Sequence, residues 1–217
     1  MVCNFSYKHY EECLVLAKSR GYDFFRFCDY EMSKKSSKFV FLRHDVDHSL
    51  DLAMKMAEIE NRIGVRATYF VRLHSKKYNI LSLESTQKLN LLKEMGHEIG
   101  FHYEPSYASA ANKEVDKSFS IDLATLENCI DEKIVSVSPH EPTREGTFVI
   151  DERLMNKNGL TYQAYSDIFV RDLKYISDSS CHWREGCMHG FIVNDVPKLC
   201  ILTHPFWWYH KTSLENY

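Results

Sequence analysis

A chain of 217 residues, 44% hydrophobic and 26% charged with only 8 glycines and 5 prolines, has the balance of an ordinary globular protein that buries most of its apolar surface in a single domain. That balance excludes a disordered or fibrous protein. A net charge of −3 leaves no basic excess to neutralise a phosphate backbone, so nucleic acid is not an expected partner.

Residues 1–35 place Cys13, Leu14, Leu16 and Ala17 at helical spacing ahead of an apolar stretch at 22–27, and read as a helical and strand addition with no chemistry assigned to it. A strand is expected at 39–43. Leu52, Met56, Ile59 and Ile63 then recur at helical spacing, with Ser49 as cap and Gly64 as stop, and a strand at 67–71 completes a βαβ unit. A helix at 84–95 ends on Gly96 and leads to a strand at 98–101. After Asn112, a helix at about 113–130 lines up Val115, Phe119, Leu123, Leu126 and Ile130 on one stripe. Strands at 134–137, 161–165, 173–176 and 199–203 bring the count to seven. This alternation predicts an α/β fold with a mainly parallel sheet.

No stretch approaches the ~20 apolar residues of a membrane span. Residues 1–10 show neither a basic cluster leading into an apolar run nor a cleavage site, so a cytoplasmic location is expected. The 7 cysteines form no CxxC pair and suit free thiols. Cys181-His182 and Cys187-x-His189 carry part of a zinc-cluster spacing, but no closed four-ligand pattern follows in the sequence.

Ligand sites of parallel α/β folds lie beyond the carboxyl ends of the strands. Four of these ends carry histidine or aspartate: His44-Asp45-Val46-Asp47-His48, His102-Tyr103-Glu104, Ser138-Pro139-His140-Glu141-Pro142 and His204-Pro205-Phe206-Trp207-Trp208. One such histidine is ordinarily a hydrogen-bonded structural residue, whereas four strand ends together point to a shared site. Asp-x-Asp can give one carboxylate to a metal ion and leave the other as a base. Imidazole nitrogen with carboxylate oxygen suits Zn2+, Co2+, Ni2+ or Fe2+ better than Mg2+ or Ca2+. An ion of this kind with an open position polarises a carbonyl and lowers the pKa of bound water to about 7, which is hydrolytic chemistry. No GxGxxG, GxxxxGK[ST] or GxSxG sequence is present to anchor a dinucleotide, phosphate-loop or serine-hydrolase reading.

Leu42-Arg43-His44-Asp45-Val46-Asp47, Gly64-Val65-Arg66-Ala67-Thr68-Tyr69-Phe70, Gly96-His97-Glu98-Ile99-Gly100-Phe101-His102 and Leu202-Thr203-His204 resemble, in order, the successive motifs of the polysaccharide deacetylase superfamily, carbohydrate esterase family four and its relatives. The RHDVD form resembles a divergent bacterial branch linked to surface-polysaccharide synthesis. The resemblance implies a distorted (β/α)7 barrel over residues 36–210, within a single domain of 1–217. It implies a metal-dependent hydrolase that removes an N-acetyl group from a sugar or sugar-linked precursor, with one divalent ion, Zn2+ before Co2+, Ni2+ or Fe2+, and a small-molecule or oligosaccharide substrate.

By position, Asp45 resembles the family's catalytic base, Asp47 its metal carboxylate, His102 its first metal histidine and His204 its catalytic acid. The family's second metal histidine falls on Ser106, and its base-holding Arg-x-Pro-Tyr motif is replaced by Ser138-Pro139-His140-Glu141-Pro142. His140 is therefore the expected third metal ligand, with Glu104 or a water as alternatives. Asp178 and Trp183 loosely resemble the fourth motif and are expected in the groove wall, Tyr103, Trp183 and Trp207 contacting substrate. His97 and Glu98 read as packing residues. Two other readings stay open: hydrolysis of a non-sugar C–N bond, and a lapsed barrel that only binds glycan.

Overall fold

The computed structural model describes residues 3–146 and 149–217. Eight strands form one all-parallel sheet: β1 (Asp23–Phe25), β2 (Phe39–Val46), β3 (Thr68–Arg72), β4 (Glu98–Tyr103), β5 (Ser136–Pro139), β6 (Tyr162–Gln163), β7 (Lys174–Ser177) and β8 (Lys198–Thr203). The main order is β6-β5-β4-β3-β2-β8-β7. These seven curl into a distorted (β/α)7 barrel with its break between β6 and β7, where Tyr165 and Tyr175 meet edge to face at 6.2 Å. The N-terminal segment adds the eighth strand. β1 pairs with residues 39–41 of β2, on the edge that β3 occupies only from Arg43 onward.

Side chains alternate across a strand, and here the two phases feed two cores. Phe39, Phe41, Phe70 and Cys200 pack with Phe27 and Phe169 inside the curl. Val40, Leu42, Val46, Tyr69, Val71, Ile99, Phe101, Leu199 and Ile201 pack outward against the helices. Arg43 and Asp45 share the phase of Phe39 and Phe41, and β2 runs on through Val46, so Asp45 lies within the strand rather than after it. His44 falls in the opposite phase. Gly100 sits where β4 passes the Phe70 ring, and a Cβ there would stand 2.5 Å from two ring carbons.

The Leu50–Ile63 helix has the expected ends: Ser49 Oγ accepts from the Leu52 N–H at 3.3 Å, and Gly64 turns left-handed at φ 73°. The next runs over Leu83–Glu94 before Gly96. The third begins at Val115 and ends at Ile130. Asn112 is not its cap; left-handed at φ 52°, it closes the preceding Pro105–Ala110 helix, and the Lys113 N–H donates back to the Ala108 carbonyl at 2.8 Å. Val115 is consequently exposed, while Phe119, Leu123, Leu126 and Ile130 are buried as a stripe. The Tyr7–Ser19 helix buries Tyr10, Cys13, Leu14 and Ala17 in the outer core.

Candidate metal centre

The ends of β2, β4, β5 and β8 bring Asp47, His102, His140 and His204 to one mouth of the curl. Asp47 Oδ1 lies 3.3 Å from His102 Nε2 and 3.5 Å from His140 Nε2. Two ligands of one tetrahedral ion, bonded at about 2.0 to 2.2 Å, stand roughly 3.3 to 3.6 Å apart, so these separations would suit one shared ion. The His102 and His140 rings meet at 85° with centroids 5.2 Å apart. His102 Nδ1 is 2.9 Å from the Ser138 carbonyl, which can only accept, so Nδ1 carries the proton and Nε2 keeps its lone pair for the centre. Asp47 Oδ1 is buried and has no hydrogen-bond donor. A carboxylate oxygen left without a donor among histidine lone pairs is a cation's seat, and the donor set fits a Zn2+-like ion.

Asp45 has a different partner. Both its oxygens accept from Arg43, at 2.8 Å and 2.7 Å from the same terminal nitrogen, and that nitrogen also donates to Ser138 Oγ at 2.7 Å. Burial alone would raise the Asp45 carboxyl, but the Arg43 guanidinium, with His102 and His204 nearby, holds it below the usual carboxylate range. Burial likewise opposes Asp47, which the neighbouring imidazoles of His102, His204 and His140 hold below the usual carboxylate range. Burial, then the neighbouring His102, push His140 down to about 4, so its imidazole is neutral and free to ligate at pH 7. His102 is raised, its burial outweighed by Asp45 and Asp47.

His204 is held by Asp178. The Asp178 carboxylate lies 2.6 Å from His204 Nδ1, accepts the His204 backbone N–H at 3.0 Å and takes the Trp208 indole N–H at 3.0 Å. Burial works against a charged His204, yet Asp178 overcomes it and lifts the imidazole to about 9. Nε2 stands 4.0 Å from Asp47 Oδ2, on the centre's rim.

No family model matches the sequence, and neither does any curated protein. Solved structures match in fold. A peptidoglycan deacetylase from Bacillus subtilis is 16% identical over 83% of this chain and 79% of its own, with a TM-score of 0.54. A family 4 carbohydrate esterase from Bacillus anthracis is 16% identical over 94% of this chain and 81% of its own, with a TM-score of 0.51. A pseudoenzyme of the same esterase family from Bacillus anthracis is 17% identical over 83% of this chain, with a TM-score of 0.53, and this chain spans 58% of its length. The chain has the polysaccharide deacetylase fold.

Within that deacetylase fold, several expected residues stand elsewhere. Ser106 is exposed on the Pro105–Ala110 helix. Glu104 is taken by the Arg72 side chain and by the His74 N–H at 3.1 Å, leaving His140 as the third protein donor beside Asp47 and His102. Tyr103 is in the outward phase and packs on Phe119 at 4.7 Å, away from any groove, because it directly follows inward His102. Trp183 is buried and stacks with Phe5, and Asp178 is fully buried under His204 instead of forming groove wall. Trp207 is half-buried, against Phe206 at 5.1 Å.

His44 and His97 serve a separate network. Glu60, fully buried, lies 2.8 Å from His44 Nε2 and 3.5 Å from His97 Nδ1, and accepts from the Tyr10 and Tyr69 hydroxyls. Glu98 accepts from Thr68, Ser136 and the Cys28 N–H, a packing role as expected. Sequence reasoning missed Arg43 as a functional residue. The signal was present: an arginine inside an all-apolar strand run must be paired when buried. Arg72, 3.9 Å from Asp47 Oδ1 at the end of β3, carried no such signal.

Proposed function

We propose that this protein is a metal-dependent hydrolase that removes an N-acetyl group from a sugar or sugar-linked precursor. The observation that carries the reading is the cluster of Asp47, His102 and His140, flanked by Asp45, whose oxygens accept from Arg43, and by His204, which Asp178 holds. Asp47, His102 and His140 would hold the ion, and the ion when bound supplies carbonyl polarisation and acidified water. Asp45, kept ionised by Arg43, accepts a proton from the attacking water. His204, kept charged by Asp178, gives one to the leaving nitrogen. Because Asp178 bonds Nδ1, the proton that His204 delivers is the one on Nε2, the nitrogen facing Asp47. Trp207, on the turn after His204, is the remaining candidate for substrate contact.

The displaced second histidine, now an exposed Ser106, favours a second reading in which the barrel binds glycan without turning it over. Acetate release from N-acetylglucosamine oligomers and nucleotide-linked N-acetyl sugars, before and after treatment with a chelator and re-addition of Zn2+, separates the two. The first predicts release that the chelator abolishes and Zn2+ restores. Binding of these sugars with no acetate released in any metal state decides for the second, and release from cyclic amides alone would move the substrate to non-sugar C–N bonds.

A further inference from the structure

We propose that Cys3, His9, Cys187 and His189 form a second metal site, a closed four-ligand site for Zn2+ that fastens the N-terminal segment to the barrel. One ligand atom from each lies within 4.8 Å of every other. His9 Nε2 is 3.3 Å from Cys187 Sγ, close to the roughly 3.5 Å that separates nitrogen and sulfur on one tetrahedral Zn2+. The two imidazoles cross at 81° with centroids 5.3 Å apart, as two ligands converging on one point do. His9 and Cys187 are buried, and the Nδ1 atoms of His9 and His189 are buried without hydrogen-bond partners. All the cysteines are free thiols.

The site joins chain segments 178 residues apart. His9 lies in the first turn of the Tyr7–Ser19 helix, with Cys3 ahead of it; Cys187 flanks the Met188–Val193 helix, with His189 in its first turn. Cys187-x-His189 is half of a ligand set, and the other half comes from a stretch that sequence reading left without chemistry. Two sulfur and two nitrogen donors with no open position make a structural site rather than a catalytic one. It contains no residue of the Asp47 centre, and only this one offers thiolates. Cys13 Sγ, 3.6 Å from His9 Nε2, stands behind the four and is the competing thiol.

Cobalt substitution reads the two sites separately. The full chain, purified under reducing conditions and stripped of metal, is titrated with Co2+ while metal content and thiolate-to-cobalt charge-transfer absorption are recorded. The expected result is a charge-transfer band in the wild type and in Asp47→Ala, and its loss with one equivalent of metal in Cys3→Ser and in His189→Ala. Cys3 is exposed, so its substitution leaves the fold intact, and circular dichroism checks this. Absence of the band in reduced wild type, its persistence in Cys3→Ser, or its loss only in Cys13→Ser overturns the assignment. Failure of the Asp47 centre alone would leave the band and remove only the other equivalent.

Discussion

Asp45 and Asp47 stand two residues apart in one inward phase, and the Arg43 guanidinium, which occupies both oxygens of Asp45, does not reach Asp47. A carboxylate already engaged by a cationic fork is poorly placed to ligate but remains ionised to accept a proton. Asp45→Asn is accordingly expected to keep bound metal, measured by elemental analysis, and to lower kcat by about 10²- to 10⁴-fold. Loss of metal in that variant would make Asp45 a ligand. His204 must be protonated to act as an acid, so activity falls as pH rises through its pKa, which Asp178 raises. Asp178→Asn removes that support, and the alkaline limb of the pH–rate profile should move to lower pH; an unmoved limb would exclude His204 as the acid. The aspartates and histidines of the site were legible because they lie at or just beyond the carboxyl ends of strands. Asp178 was singled out for the groove wall, but its pairing with His204, 26 residues away, was not legible, since only the fold brings it beneath the imidazole.

The strands carry the positional information. Once Phe39 and Phe41 fix the inward phase of β2, period-two alternation sends Asp45 to the centre and His44 to Glu60, a distinction the order His44-Asp45 does not make until the phase is known. Gly100 is where β4 needs the absence of a side chain. Gly100→Ala should cost about 1 to 3 kcal/mol, read from denaturant melts, because the added methyl meets the Phe70 ring. Wild-type stability would mean that the ring yields. Glu60 ties β2, β3, the Leu50–Ile63 helix and Tyr10 of the N-terminal helix into one buried network. Its carboxyl is held below the ordinary 4.5, burial being outweighed by His44 and its other partners. A depressed folded pKa stabilises fully above the unfolded value and is lost as pH falls through the folded one. Glu60→Ala should therefore lower stability by about 3 to 5 kcal/mol at pH 7, with a smaller difference from wild type in acid. An equal difference at both pH values would contradict the charge-based account. β1 lies in the apolar stretch expected at 22–27, but its pairing with β2 was not legible: so short a run makes no alternation, and the pairing depends on where β3 begins.

At the scale of the molecule, the alternation of strands and helices predicted a mainly parallel α/β sheet and the motif resemblance implied its closure into a barrel, whose shape the break between β6 and β7 sets. β6 is only two residues long, and the contact across the break is made by side chains, Tyr165 and Tyr175. The mouth opposite the Phe27–Phe169 cluster gathers Asp45, Asp47, His102, His140 and His204 from four strands, an arrangement no single segment announces. Among the described residues, no helix is long and apolar enough to cross a membrane. The central claim is that Asp47, His102 and His140 hold one divalent ion while Asp45 does not. Anomalous diffraction at the zinc edge, on crystals grown with Zn2+, tests it most directly. A peak is expected at about 2.0 to 2.2 Å from Asp47 Oδ1 and the Nε2 atoms of His102 and His140, with Asp45 still on Arg43. A peak bonded to Asp45, or no peak between these three residues, would contradict it.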